Sequence, residues 1–350
     1  MNRADKAVLR LAIGLGLAVL IAYGLALEMP FVVCVVAVLM LCKGGPAIPF
    51  VKGAVFALVM AGVLVAGVLM VPLLENYRVT GLLVTGVLLY AVFFAGARSG
   101  SPLTIFFLIA LTFIPVAGVA DQHLTTVLSQ AFGLGLATGV LVIGVSHIFF
   151  PDAPAPAKIA VAPAGVSPET ARWQALQATL VVMPVFVLAL THPSLYIAVI
   201  MKTVMLGQQA GATNARSAGR ELVGSTFVGA SMATVVWAGL SVRPNLWMLV
   251  LWMTAAALWA GARLFGVKPT SVLPTFWSNA LVTMLILLGP GIEDAAVGKD
   301  VYRASAIRVS LFIAVALYAW ATVWALERWR ASRSKRWSWS APEKGESQDA

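Results

Sequence analysis

Charged side chains are scarce in this chain. Its 350 residues include 24 Lys and Arg and 14 Asp and Glu, together 11%, whereas soluble domains carry about 25%. Hydrophobic residues make up 60%, and the mean hydropathy is +0.92. Charged residues at this frequency are too few to cover the water-exposed surface of a folded chain of this length. This excludes an ordinary soluble protein and indicates that lipid is the solvent.

Residues that build metal or nucleophilic sites are also few. The two cysteines, Cys34 and Cys42, are roughly 12 Å apart along a helix, which is too far for a disulfide. The three histidines, His123, His147 and His192, have no paired spacing with carboxylates or cysteines. We therefore expect no metal, no cofactor and no enzyme activity.

Basic residues exceed acidic ones, with a formal net charge of +10. They are scattered singly between apolar blocks and form no basic face, so we expect no nucleic-acid partner. The exception is the tail segment ERWRASRSKRWSW, whose basic residues suit anionic lipid headgroups. The expected partners are the lipid bilayer and a small-molecule substrate, and the sequence leaves open whether the chain forms a homo-oligomer.

The apolar blocks are long and show no alternation, which favours helices over barrel strands. The first block follows a basic head and is interpreted as an uncleaved membrane helix, because further blocks continue along the chain. The pattern predicts an all-α polytopic membrane protein with about 12 spans. The predicted spans are 8–27, 30–48, 52–73, 79–97, 102–120, 124–149, 173–191, 194–207, 221–240, 245–262, 271–289 and 304–326.

The basic residues predict the orientation of these spans. With the N-terminus in the cytoplasm, all but five of the 24 Lys and Arg fall on or near the cytoplasmic face. The exceptions are Arg78, Arg243, Lys299, Arg303 and Arg308. The prediction is a multi-pass protein of a bacterial inner membrane with both termini cytoplasmic.

A Pro- and Ala-rich stretch divides the chain into two six-helix repeats. Matching residues recur in the same order in both halves: Pro30 and Pro193, Gly96 and Gly261, Arg98 and Arg263, Pro102 and Pro269. An even number of spans in each half predicts two parallel repeats, an arrangement known from transporters. The predicted units are a first repeat at 1–150, a cytoplasmic linker at 151–171, a second repeat at 172–328 and a basic cytoplasmic tail at 329–350.

An arginine closes the fourth span of each half, Arg98 in the first and Arg263 in the second. These arginines either reach lipid headgroups or flank an entrance for an anionic solute. Gly135 and Gly139 are spaced as a small-residue face that packs closely against another helix.

The ninth span opens on a cluster of charged and small residues: Arg216, Arg220, Glu221, Gly224, Thr226 and Gly229. An arginine followed by Gly-x-Thr and a further glycine resembles the signature of the fusaric-acid-resistance and aromatic-acid-exporter family of bacterial inner-membrane proteins. The six-span repeat and the PSLYIAV segment also resemble that family. The chain is similar to a compact member without the soluble cytoplasmic domains. The resemblance implies export of aromatic acids together with a periplasmic membrane-fusion adaptor and an outer-membrane channel.

Polar residues at two further places complete the candidate site. Glu221 is either a helix N-terminal acid or a coupling and gating group. Ser271, Thr275 and Ser278 form a predicted polar stripe on the eleventh span, with Asn279 beside it and Pro274 as a predicted kink. The stripe either joins helices by hydrogen bonds or lines a solute path.

Two acidic sites fall in predicted periplasmic loops. They are Asp121 with His123, and Glu293 with Asp294, interpreted as solvated residues or as the opening of a proton relay.

The favoured function is an efflux transporter that exports small organic compounds, aromatic carboxylates in particular. The chain has no phosphate-binding loop, so the proton gradient is the expected energy source. The alternative is a membrane-embedded enzyme or a scaffold acting on lipid-linked substrates, neither of which needs an internal duplication.

Overall fold

The computed structural model describes residues 2–43, 50–101, 103–151, 166–212 and 218–338. Within these ranges, every regular element is helical. The helices are α1 (Arg3–Gly24), α2 (Pro30–Leu41), α3 (Phe50–Asn76), α4 (Arg78–Ser99), α5 (Thr104–Ala120), α6 (Gln122–Phe149), α7 (Pro168–Thr191), α8 (Pro193–Ala212), α9 (Gly219–Val242), α10 (Leu246–Leu264), α11 (Pro274–Ala296) and α12 (Val301–Ser338).

The chain is an all-α polytopic membrane protein. Among the described residues, nine helices are long and apolar enough to cross a bilayer, and α2 and α5 are shorter apolar helices. Large apolar side chains point outward from several helices, including Leu58, Val87 and Trp247, each at least two-thirds exposed. Such an outer surface requires lipid, which confirms the fold class predicted from composition.

The observed helices follow the predicted spans in order, with three corrections at their ends. α7 begins at Pro168, inside the predicted linker, because Ser167 accepts a hydrogen bond from the Thr170 amide and proline suits the first helical position. α12 continues to Ser338, ten residues into the predicted tail. The predicted second span extends to residue 48, but α2 ends at Leu41, and residues 44–49 lie outside the described part.

A further correction concerns α11. This helix begins at Pro274, so Ser271 precedes it and cannot belong to a helical stripe with Thr275 and Ser278. Pro274 also does not kink the helix, because at the first turn its missing N–H costs no hydrogen bond. The predicted stripe was therefore wrong as a continuous feature.

Contacts at the helix ends define two faces of the bundle. Arg10 near the start of α1 donates a hydrogen bond from Nε to the Phe150 carbonyl oxygen at 2.9 Å, so α1 starts where α6 ends. Gly261 near the end of α10 packs against Val8 of α1. We call this side the N-face, and the opposite side, where α1 ends, the far face.

The two halves pack their helices in the same pattern. Every helix pair in contact in the first half has its counterpart six helices later, and the largest contacts between the halves are reciprocal, α1 with α10 and α7 with α4, α2 with α11 and α8 with α5. The contacts of α5 with α7 and of α8 with α11 have no counterpart of similar extent. The pairs of the first half are α1–α2, α1–α6, α2–α6, α3–α4, α3–α5, α3–α6, α4–α5 and α5–α6.

The relative direction of the halves follows from α1 and α10. Gly16 of α1 packs against Thr254, and Gly24 packs against Leu246, so the residue numbers of the two helices run in opposite directions. The fourth helix of the second half is thus antiparallel to the first helix of the first half. This is the relation expected when both halves cross the membrane in the same sense.

Candidate functional site

Lys202 is the most unusually placed charged residue of the described structure. It is the tenth residue of α8, halfway between the two faces, and its side chain is fully buried. Ionisable side chains at this depth are costly and mark functional sites by default. The sequence analysis had assigned this residue to the cytoplasmic face, and that assignment was wrong.

Two polar side chains of α11 surround the Lys202 amine. Its Nζ donates a hydrogen bond to Asn279 Oδ1 at 3.0 Å and another to Thr283 Oγ1 at 2.6 Å. Among the described residues, no Asp or Glu forms an ion pair with it. An ammonium has three N–H donors, so one donor and the whole positive charge stay without a described protein partner.

Asn279 links this amine to the N-face. Its amide Nδ2 donates to Ser225 Oγ at 2.6 Å and to Gln209 Oε1 at 3.0 Å. Gln209 in turn donates from Nε2 to the Thr275 carbonyl oxygen at 2.9 Å. We call Lys202, Gln209, Ser225, Asn279 and Thr283 the polar network. It joins α8, α9 and α11 through four buried side chains and the half-buried Gln209, and a buried network of this kind rigidifies the fold when each member is satisfied.

The first turn of α9 clamps the N-face end of this network. Residues Gly219–Gly224 form a π-helical turn, a rare feature that is frequently found at functional sites. Arg220 donates from Nη2 to the Ser271 carbonyl oxygen at 3.0 Å, and Glu221 Oε1 accepts from the Leu273 amide at 3.3 Å. Both contacts hold α9 to the segment that enters α11.

Glu221 is only 2% exposed, and its second oxygen, Oε2, has no hydrogen-bond partner. It lies one helical turn before Ser225, on the same side of α9. Glu221 lies in the first turn of α9, as expected of a helix N-terminal acid, but it is buried there. A buried carboxylate oxygen without a hydrogen-bond partner is rare in folded proteins and makes Glu221 a candidate functional residue.

Small residues bring α9 close to α11. A Cβ added at Gly229 would lie 2.5 Å from Thr283 Cβ and 2.6 Å from the Ala280 carbonyl oxygen, so no larger residue fits without a shift. Gly224 packs in the same way against the ring of Phe276. The Thr226 hydroxyl donates to the Leu222 carbonyl oxygen and stays within its own helix.

The remaining candidates of the second half lie at the edge of the network. Arg263 stacks over Trp259 at 4.0 Å from the ring centre and faces Trp277 at 5.1 Å. Thr275 contributes its backbone oxygen to Gln209, and the Ser278 hydroxyl donates to the Thr275 carbonyl oxygen. Arg216 lies outside the described residues.

Candidates in the first half have no part in the network. Arg98 is exposed in the last turn of α4. Gly135 packs against Val36, and Gly139 packs against the Met40 sulfur, so α6 lies close to α2.

The equivalent positions of the first half are apolar. Gly67 packs against the Ala110 carbonyl oxygen as Gly229 does against the Ala280 carbonyl oxygen, which aligns α3 with α9 and α5 with α11. Pro30 and Pro193, which begin α2 and α8, align the third pair. With these alignments, Lys202, Ser225, Asn279 and Thr283 correspond to Leu39, Val63, Ile109 and Phe113. The polar network therefore belongs to one half only.

Glu293 and Asp294 lie in the last turns of α11 and not in a loop, which corrects the sequence interpretation. Asp294 is buried and pairs with Arg308 Nη2 of α12 at 2.5 Å. Asp121 caps α6 by accepting a hydrogen bond from the His123 amide at 3.0 Å, which is a structural role.

The sequence identified several participants in this site and missed its centre. Arg220, Glu221 and Asn279 were singled out, but Lys202 was counted among the basic residues on or near the cytoplasmic face. A usable signal was present, because Lys202 is flanked by the apolar segments YIAVIM and TVML.

Comparison with known proteins gives one match. A family described as a protein of unknown function (DUF2955) matches residues 7–147, which span α1 to α6 and leave the polar network outside. No curated protein and no solved structure matches the chain. The match is consistent with a multi-pass membrane protein and lies in the half that is apolar at the positions equivalent to the polar network.

Proposed function

We propose that the protein is an efflux transporter that exports small organic compounds, with aromatic carboxylates as the favoured class. The observation that carries this proposal is Lys202, a buried amine halfway across the bundle without a carboxylate partner among the described residues. A buried positive charge is costly when unpaired, and an incoming carboxylate supplies the missing charge. Lys202 is therefore the proposed anion site.

The neighbouring groups support an organic anion. Asn279 and Thr283 orient the Lys202 amine from one side and leave its third N–H for a carboxylate oxygen. The network reaches the N-face through Gln209 and the clamp formed by Arg220 and Glu221. These groups can bind and orient a ligand, and transport of the ligand requires no covalent reaction.

The proposed preference for aromatic substrates rests on aromatic side chains near the N-face end of the polar network. Phe276 and Trp277 lie edge to face at 5.1 Å in the first turn of α11, and Trp259 contacts Trp277 at 5.3 Å. Aromatic side chains at such spacings also hold an aromatic ligand ring. The resemblance to the aromatic-acid-exporter family, carried by Arg220, Gly224, Thr226 and Gly229, points to the same substrate class.

Several further parts of the proposal come from that resemblance and from the distribution of charges. The chain resides in a bacterial inner membrane with the N-face toward the cytoplasm, uses the proton gradient, and works with a periplasmic adaptor and an outer-membrane channel. Glu221, with its unpartnered Oε2, is the proposed coupling group.

The test is transport of 4-hydroxybenzoate into inverted membrane vesicles, with and without a pH gradient. Lys202→Met keeps the side-chain length and removes the charge. Loss of a hydrogen bond to a charged group costs about 1.5–3 kcal/mol, so we expect transport to fall roughly 10- to 150-fold. Lys268→Met, which changes an exposed lysine on the N-face, is the matched control and keeps wild-type transport. Wild-type transport by Lys202→Met at equal protein levels would overturn the proposal.

A further inference from the structure

An open cavity lies near the N-face between α4, α7 and α12. It has a volume of about 480 Å³, and four of its six lining residues are exposed. The lining residues are Tyr90, Glu169, Arg172, Trp173, Leu176 and Arg330. α4 belongs to the first half of the bundle, whereas α7 and α12 belong to the second half. The cavity therefore lies where the two halves meet, and it shares no residue with the polar network.

One side of α7 forms most of the cavity wall. Glu169, Arg172, Trp173 and Leu176 stand at positions i, i+3, i+4 and i+7 and therefore share one side of the helix. The same side continues toward the far face with Leu180, and Leu176 and Leu180 are 39% and 40% exposed. From the N-face inward, α7 thus presents charged groups first and an apolar strip after them.

The charged groups lie at the boundary between the lipid headgroups and the hydrocarbon. α7 has 24 residues, so it is about 36 Å long, and the hydrocarbon core of a bilayer is about 30 Å thick. The first turns of α7 therefore lie at this boundary. Trp173 stacks on Trp329 of α12 with ring centres 6.2 Å apart, and Trp and Tyr are enriched at this level of a membrane protein.

The two arginines of the cavity are only partly neutralised. Arg330 Cζ lies 5.2 Å from the centre of the Trp173 ring, and Arg330 Nη2 lies 3.9 Å from Glu169 Oε1. The Glu169 side chain is 89% exposed, so this ion pair is weak. Arg172 forms no ion pair with any of the residues that the structure describes. Two guanidinium groups and one carboxylate leave the cavity with a net positive charge.

The equivalent junction of the first half uses its basic side chain differently. There, Arg10 of α1 donates to the Phe150 carbonyl oxygen, where α6 ends. α12, which takes the place of α6 in the second half, continues beyond its contact with Trp173 to Ser338. The α12 carbonyl groups at this level are bonded within the helix, so they offer no acceptor to a basic side chain of α7. A ligand with anionic oxygen atoms supplies such an acceptor.

We propose that this cavity binds the headgroup of an anionic phospholipid, with its phosphate between Arg172 and Arg330 and an acyl chain along Leu176 and Leu180. Arginine binds phosphate oxygens through two parallel N–H donors, and basic pockets between membrane helices bind lipid headgroups. The net positive charge favours a headgroup whose only charge is the phosphate over a zwitterionic headgroup, which adds an ammonium. A lipid bound here contacts both halves of the bundle. The site is independent of the proposed function, because it involves neither Lys202 nor the transported compound.

Native mass spectrometry of the full chain in detergent, mixed with equal amounts of phosphatidylglycerol and phosphatidylcholine, tests the site. We expect the first bound lipid to be phosphatidylglycerol by about fivefold or more. Arg330→Gln should reduce this preference about fivefold, since one arginine beside an anionic headgroup contributes about 1 kcal/mol, and Arg172→Gln should do the same.

Arg328→Gln is the matched control, because it removes the same charge from the same helix. Arg328 is two positions from Arg330 and therefore on another side of α12, where its guanidinium lies over Trp324. Arg328→Gln should keep the wild-type preference. Equal losses in Arg328→Gln and Arg330→Gln would show that only the overall charge attracts the lipid, which would overturn the site. A wild-type chain without preference would overturn it as well.

Glu169→Gln tests the site in the opposite direction. It removes the only carboxylate of the cavity and should strengthen the preference for phosphatidylglycerol, a gain that a folding defect cannot produce. An unchanged preference in Glu169→Gln, Arg172→Gln and Arg330→Gln would contradict the proposal. The thermal midpoint in detergent separates a lipid from a free anion: phosphatidylglycerol should raise it, whereas inorganic phosphate, which has no acyl chain for Leu176 and Leu180, should not. An equal rise with inorganic phosphate would overturn the lipid as the ligand.

Discussion

The two halves of the bundle differ at one set of equivalent positions. In the first half these positions are apolar: Leu39, Val63, Ile109 and Phe113. In the second half, α8, α9 and α11 meet there through Lys202, Ser225, Asn279 and Thr283. Apolar packing is the less costly way to fill such a junction, because each buried polar group needs a partner. The first half thus serves as an apolar scaffold, and the second half carries the candidate site on a similar arrangement of helices.

The largest expected effect comes from moving the charge into the scaffold half. Leu39→Lys places an amine in a buried helix of the half in which Ile109 and Phe113 stand at the positions of Asn279 and Thr283. An unpaired charge in a helix centre costs about 2.5–3.5 kcal/mol or more. We expect the variant to fail in membrane insertion or to lose most of its thermal stability. Expression and the thermal midpoint in detergent measure this effect. Leu39→Met, which preserves volume, should cost less than about 1.5 kcal/mol.

A wild-type midpoint for Leu39→Lys would show that the scaffold half tolerates a buried amine. The contrast between the halves would then carry no functional meaning.

A somewhat smaller effect is expected from removing the centre of the polar network. Asn279→Leu removes one hydrogen bond each from Lys202, Gln209 and Ser225, which should cost about 1.5–3 kcal/mol because one of the lost bonds is to a charged group. Ile109→Val, at the equivalent position of the first half, should cost only about 0.5–1.5 kcal/mol. Chemical denaturation in detergent gives both values.

A double variant separates the charge from the packing. Lys202→Met combined with Asn279→Leu should recover much of the stability lost by Asn279→Leu alone, because the unpaired charge is gone. Strictly additive losses would contradict the direct coupling of these two side chains.

The smallest stability change is expected at the two equivalent glycines. Gly229→Ala and Gly67→Ala both place a Cβ within 2.7 Å of a carbonyl oxygen on the facing helix, so each should cost about 1–3 kcal/mol. Their effects on transport should differ, since only Gly229 packs against Thr283 of the network. We expect transport to fall in Gly229→Ala alone, measured at matched protein levels. Equal transport loss in both variants would indicate general damage to packing.

The sequence predicted the fold more completely than the site. Hydropathy alone locates the helices, because each span must satisfy its own backbone in lipid. The site depends on which helices meet, and no local pattern shows that Lys202 of α8 faces Asn279 of α11. Asn279 was noticed as the neighbour of a serine and threonine stripe, whereas the structure makes it the link between three helices. The buried environment of Glu221 likewise comes from a distant segment, at Leu273.

The most direct test of the account is the thermal midpoint of Lys202→Met in nanodiscs, measured with and without 4-hydroxybenzoate. Replacing a buried charge by an apolar side chain of similar size is often neutral or stabilising, and a ligand raises the midpoint only if it binds the folded state. We predict a ligand-free midpoint equal to or above that of the wild type, and no ligand-induced rise, whereas the wild type shows one. A lower ligand-free midpoint together with an undiminished ligand-induced rise would show that Lys202 supports the fold and does not bind the anion.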